Sequence, residues 1–175
     1  PTLTDCTFTS NSAGVSGGGM NNDSSSSPTL TDCTFTSNSA TYAGGGMLNE
    51  NFSSPTLTDC TFTDNSTAYG GGMYNWGSSP ALINCTFLAN SADDRGGGIF
   101  NYLSSPTLSN CTFASNSANV SGGGMYNFGP ISTTVTAAAL PSTSADGGGG
   151  INNNTTIPPT PAPATTPPTP PPHVA

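Results

Sequence analysis

Five cysteines recur at near-even spacing, Cys6, Cys33, Cys60, Cys85 and Cys111. Thiols can bind metal, bridge to one another or fill apolar space. A structural zinc site gathers four ligands into a tetrahedron. Here a once-per-repeat spacing draws the sulfurs into a line, and the single histidine, His173, stands in a proline-rich segment, so no metal and no cofactor is expected. The acid–base inventory is as thin. Asp93, Asp94 and Arg95 are the one place where charges of both signs adjoin. A glycosidase needs two carboxylates held about 5–9 Å apart, whereas Asp residues at such a point cap a bend, and a turn corner is the reading taken here. The Gly runs lead into no Lys-Ser or Lys-Thr pair, so they are not phosphate loops. No catalytic residue is assigned, and the expectation is a protein that is not an enzyme.

Aromatic side chains are better placed to act. Tyr74, Phe100 and Tyr126 each follow a Met or Ile that itself follows a triple Gly; Asn21, Leu48 and Asn152 hold that place elsewhere. Phe52, Trp76, Tyr102 and Phe128 form a second stripe nearby. Turned outward, the two make an apolar surface fit for a protein contact, a carbohydrate platform or lateral packing. The alternative is that a loop or the chain's end covers them. The net charge of −8, with Arg95 the only Lys or Arg, offers nothing to phosphates. Nucleic acid is therefore excluded as a partner, and an anionic membrane is a poor one. No run of about 18 apolar residues invites direct membrane insertion.

What must position these residues is a repeat. Pro-Thr-Leu-Thr-Asp-Cys-Thr-Phe-Thr begins at Pro1, Pro28 and Pro55 and recurs altered at Pro80 and Pro106, with a decayed sixth copy read from Pro130. The intervals are 27, 27, 25, 26 and 24 residues. Leu3-Thr4 and Cys6-Thr7-Phe8-Thr9 alternate apolar and polar residues, the period of a half-buried strand. Asp5 between them fits a bend, and a polar turn is expected at Asn11–Ser12. Thr, Ser, Asn and Gly dominate each unit and disfavour helix. One unit cannot bury its own apolar residues. Stacked at about 4.8 Å per turn, however, six units form a continuous core in a rod of roughly 29 Å. The fold class is therefore all-β, a parallel β-helix of about six turns with three short strands each, right-handed by the rule for parallel crossovers.

The core ladder comprises the Cys column, Phe8, Phe35, Phe62, Phe87 and Phe113, and Met20, Met47, Met73, Ile99 and Met125. Val135 is read as the sixth occupant of the Cys column, which marks that site as apolar and favours buried thiols. Up to two bridges between neighbouring turns are the alternative. Asn11, Asn38, Asn65, Asn90 and Asn116, each three residues after a Phe, are expected to point inward as an amide ladder. Thr7, Thr34, Thr61, Thr86 and Thr112 form an outward column, and Thr9, Thr36 and Thr63 a second that fails at Leu88 and Ala114. An ice-binding Thr face is thus a remote alternative.

Phe-x-x-Asn, at Phe8–Asn11 and its four successors, and Gly-Gly followed by Met or Ile, as at Gly18-Gly19-Met20, resemble the repeats of the chlamydial polymorphic outer-membrane proteins. The chain is similar also to the wider pectate-lyase-like right-handed β-helices. The resemblance covers roughly residues 1–151 and implies a β-helical surface passenger used in adhesion, without the lyases' catalytic acids and bases.

Domain organisation is read as a β-helix over 1–154 and a Pro/Thr-rich tail over 155–175 that favours extended polyproline II. The tail's composition resembles O-glycosylated stalks. Asn22, Asn51, Asn65, Asn84, Asn110, Asn119, Asn153 and Asn154 satisfy the N-glycosylation pattern. The functional expectation is an extracellular or cell-surface structural repeat protein, a glycosylated filament or matrix subunit self-associating head to tail or laterally. An adhesin-like module that binds a glycan or a cell-wall or surface protein through the aromatic stripe is the alternative.

Overall fold

The computed structural model of the chain describes residues 1–130 and 132–154, which form a parallel β-solenoid of six stacked coils. Coil 1 sets the pattern with strands β1 (Thr2–Thr4), β2 (Thr7–Thr9), β3 (Ser12–Ala13) and β4 (Met20–Asn22). Their counterparts in later coils pair in parallel, giving four sheets of six, five, five and six strands among the described residues. Three strands per turn were expected. The additional one is the two-residue β3, where a polar turn had been foreseen. Its backbone is extended and in register with the next coil, Ser12 opposite Ser39 and Ala13 opposite Ala40.

The corners follow from residue chemistry. Asp5, Asp32, Asp59, Asn84, Asn110 and Ala137 all adopt a left-handed conformation, with φ of 52–56°. Asp and Asn enter that region at lower cost than other side chains, which accounts for Asp in the consensus phrase. The triple Gly divides its labour. Gly44, first of its triplet, has φ of 63°. In Gly45 and Gly46 the requirement is closeness, because a Cβ on either would overlap the backbone oxygen of Gly71 or Gly72 one coil on. The absence of side chains thus lets the coils approach to hydrogen-bonding distance, as where Gly46 N–H donates to Gly71 O at 3.1 Å.

Leu, Cys, Phe and Met columns fill the interior, and in coils 2–5 they are almost wholly excluded from solvent. The Phe rings of the five consensus coils stack with centroids 4.6–4.9 Å apart and planes within 3–4°. In coil 1 the residues of these columns, Leu3, Cys6, Phe8 and Met20, are only partly covered.

The sixth coil corrects one assignment. Val135 pairs opposite Leu108, so it continues the Leu column, not the Cys column. Ala139 bridges Thr112, which places Leu140 below Phe113 and leaves the Cys position to Ala138. The sixth copy accordingly opens at Thr133 rather than Pro130, and Gly129-Pro130 belong to the preceding corner. Register in a stacked sheet is set by which apolar residue faces inward, and the position of a Pro does not decide it.

Candidate functional site: amide ladders inside, an aromatic cleft outside

Two columns of Asn run through the coils. In the first, Asn38 Nδ2 donates to Asn65 Oδ1 at 3.0 Å and to Phe8 O at 2.8 Å, while Asn38 N–H donates to the same Asn65 Oδ1 at 2.9 Å. Asn65 and Asn90 repeat the pattern toward the next coil. Each interior amide thus makes four bonds, which is what burial of so polar a group requires. Thr143 stands in line below Asn116, next to Ser144 opposite Ser117, so the amide chain ends there. The second column links Asn22, Asn49, Asn75, Asn101, Asn127 and Asn153 by amide-to-amide bonds of 2.7–2.9 Å. Spacing alone marks that column, two residues after an inward Met or Ile in every copy, but not its bonding.

These ladders correct two glycosylation assignments. Asn22 and Asn65 are buried and hydrogen-bonded through their amides, leaving no room for a glycan. Asn51, Asn84, Asn110, Asn119 and Asn153 are exposed, and Asn154 is half-buried.

All five cysteines are free, with Cys33, Cys60, Cys85 and Cys111 buried and Cys6 half-buried. Their thiols donate to backbone oxygens, as Cys33 Sγ does to Thr31 O at 3.3 Å and Cys85 Sγ to Ile83 O at 3.4 Å. Burial raises the pKa of the Cys33 thiol. These sulfurs fill space and cap carbonyls.

The outer face of the fourth sheet is different. Met73, Asn75 and their equivalents point inward, so Tyr74 and Trp76 point outward. Tyr74, Phe100 and Tyr126 stack at 5.0 and 5.2 Å but are buried, because Ala43, Tyr69 and Arg95 fold over them from the preceding edge. Burial drives the Tyr74 hydroxyl pKa well above its ordinary value. The Arg95 guanidinium lies 5.4 Å above the Tyr126 ring. Asp94 pairs with it at 3.4 Å and holds the Tyr69 hydroxyl pKa up through a hydrogen bond. Asp93, Asp94 and Arg95 therefore do not form a turn corner. They end the strand Ser91–Arg95, where the register slips by one residue against Tyr69. This bulge turns the one cation onto the aromatic column.

Trp76, Tyr102 and Phe128 remain at the surface, Trp76 49% exposed and the other two half-buried. Trp76 meets Tyr102 edge-on at 6.2 Å, and Tyr102 stacks on Phe128 at 5.3 Å. Glu50 is the coil 2 residue in register with Trp76, so Phe52 lies outside this stripe, at an exposed corner with φ of 64°.

Where Leu48 and Asn21 replace an aromatic ring, the buried column stops and a cleft of about 340 Å³ opens. Leu48, Ala43 and Tyr74 lie at its base, and Tyr42 and Trp76, both about half exposed, flank it. Ser16, Asn21 and Glu50 supply polar groups. Tyr42 was not singled out from sequence. Its only signal was an aromatic residue in the short segment before a triple Gly.

Residues 1–155 match the family model described as a right-handed β-helix region. The chain belongs to that family. No curated protein and no solved structure matches it. This β-helix family holds pectate lyases and non-enzymes alike, so membership gives the fold and no reaction.

Proposed function

We propose that this β-helix is a non-catalytic surface-recognition module that takes a neutral carbohydrate in the cleft between Tyr42 and Trp76. The observation that carries the reading is two half-exposed aromatic side chains flanking one cleft with hydroxyl, amide and carboxylate groups beside them. A pyranose presents C–H groups on its faces and hydroxyls at its edge. Aromatic rings suit the former, and Ser16, Asn21 and Glu50 suit the latter. The volume lies at the low end of ligand pockets and suits one or two sugar units. The buried stack of Tyr74, Phe100 and Tyr126 is too covered to serve as the platform and acts as its support. Resemblance of the Phe-x-x-Asn repeats to chlamydial surface passengers supports an extracellular setting, as do the exposed N-glycosylation patterns.

The test is calorimetric titration with neutral hexose oligosaccharides. Saturable binding that falls at least tenfold in Tyr42→Ala, with unchanged unfolding, is the expected result. An absence of saturable binding across the panel would sink the reading. Stacking of molecules into a filament is the second reading, favoured by sheets whose strands all pair in parallel, coil upon coil, along one axis. Coil 6 weighs against it, because Val135, Ala138, Leu140 and Thr143 offer such a neighbour no consensus surface. Electron microscopy of natively purified protein separates the two, regular fibres favouring stacking and dispersed short rods the recognition module.

A further inference from the structure

The outer stripe ends where the described chain ends. In the last strand, Ile151–Asn154, Asn154 lies opposite Phe128, and its Nδ2 donates to the Tyr126 hydroxyl at 3.2 Å. Asn154, the last described residue, thus stands one coil from Phe128, in line with the row Phe128, Tyr102, Trp76. The sequence that follows has no ionisable side chain apart from His173, and it carries one phrase twice: Pro158-Pro159-Thr160-Pro161 and Pro167-Pro168-Thr169-Pro170. We propose that this Pro/Thr segment docks in cis along the aromatic stripe of the fourth sheet, with prolines seated against Phe128, Tyr102 and Trp76.

Geometry and chemistry both support this occupant. Polyproline II repeats every three residues and rises about 3.1 Å per residue, so one turn advances about 9.3 Å. Two coils at about 4.8 Å advance about 9.6 Å, so prolines three apart, such as Pro158 and Pro161, meet the stripe at every second coil. Reach suffices: Asn154 to the level of Trp76 is three coils, about 14 Å, and the seven residues Thr155–Pro161 extend to about 22 Å. Proline-rich segments are bound by aromatic-lined grooves in general, because their prolines pack on rings and little chain entropy remains to be lost. A body of net charge −8 would repel an acidic strand, and residues 155–172 carry no charged side chain. The occupant has different chemistry from the carbohydrate proposed for the cleft and runs from Trp76 toward Phe128, whereas Leu48 and Glu50 line the cleft on the coil 2 side.

Trp76 is the only tryptophan and reports directly on the stripe. The full-length chain is compared with a full-length variant carrying Pro158→Ser, Pro159→Ser, Pro161→Ser and Pro163→Ser, by acrylamide quenching of Trp76 emission over a range of protein concentrations. Docking predicts that the quenching constant rises about twofold in the variant, with a red-shifted emission, as for a ring that loses its cover. The urea midpoint serves as the folding control, since no described core residue is altered. Equal quenching in the two chains overturns the proposal and leaves the stripe to an external partner. Quenching that weakens as the native chain is concentrated overturns it too, by assigning the cover to a second copy. Carbohydrate binding lost in Tyr42→Ala is read independently, so either reading can fail alone.

Discussion

The inner Phe column and the outer Tyr74–Phe100–Tyr126 column are both ladders of stacked rings, yet they obey different rules. Inside, five identical residues stack with planes within 3–4° and all but Phe8 are sealed from solvent. Outside, the equivalent place reads Asn21, Leu48, Tyr74, Phe100, Tyr126 and Asn152, the stacked planes differ by 11–12°, and the column is cut short. An interior position sees nearly the same neighbours in every coil. Close packing therefore demands a side chain of much the same size and polarity each time, as where Ile99 stands among the Met residues. An exterior position can vary without unfolding the rod. Its variation is therefore where specificity can be written, and the cleft sits where that variation occurs.

The largest expected effect falls inside. Phe62→Ala removes a ring from the middle of the stack and should cost about 4 kcal/mol in urea unfolding, while Phe100→Ala, on the outer column, should cost about half as much. Equal losses would erase the distinction between the columns. Next comes Asn65→Leu. It strands the Asn38 N–H and one Nδ2 proton and frees the Phe35 carbonyl, for about 3 kcal/mol by the cost of unmade buried bonds. A loss below that of an ordinary surface substitution would mean that the ladder is ornamental.

Alkaline pH probes the interior and the outer column together. Cys33 inside and Tyr74 outside have folded-state pKa values raised by burial above ordinary values of 9.0 and 10.0. The stabilisation is whole below pH 9 and is lost as pH rises, because the unfolded chain releases these protons first. Stability should fall by up to about 1.4 kcal/mol per pH unit for each such group. Urea midpoints at pH 8 and pH 10.5 check it, and Tyr74→Phe should flatten the upper part of the slope. The smallest stability effect is expected at the surface: Trp76→Ala should change the unfolding free energy by under about 0.5 kcal/mol, while weakening carbohydrate binding by tenfold or more in the same titration used for Tyr42→Ala.

The interior was legible from the chain alone. Leu, Cys, Phe, Asn and Met recur at fixed offsets, and in a stacked solenoid a fixed offset is a fixed column, so the coil count, the core ladder and the inward Asn11 column follow from spacing. Register was legible only where the phrase was intact. In the sixth copy Pro130 misled, because the inward face, fixed by Val135 opposite Leu108, sets the alignment. The cleft was not legible. Tyr42 and Trp76 are 34 residues apart, Tyr42 in the bend after Ala40 of coil 2 and Trp76 in the fourth sheet of coil 3, and nothing periodic links them. Nor does spacing reveal that a one-residue slip turns Arg95 onto Tyr126, or that Tyr69 covers Tyr74 and Phe100. Repetition thus determined which residues stack. Only the tertiary structure decided which outward residues are covered, because cover comes from the irregular edges between strands, where no neighbour imposes a period.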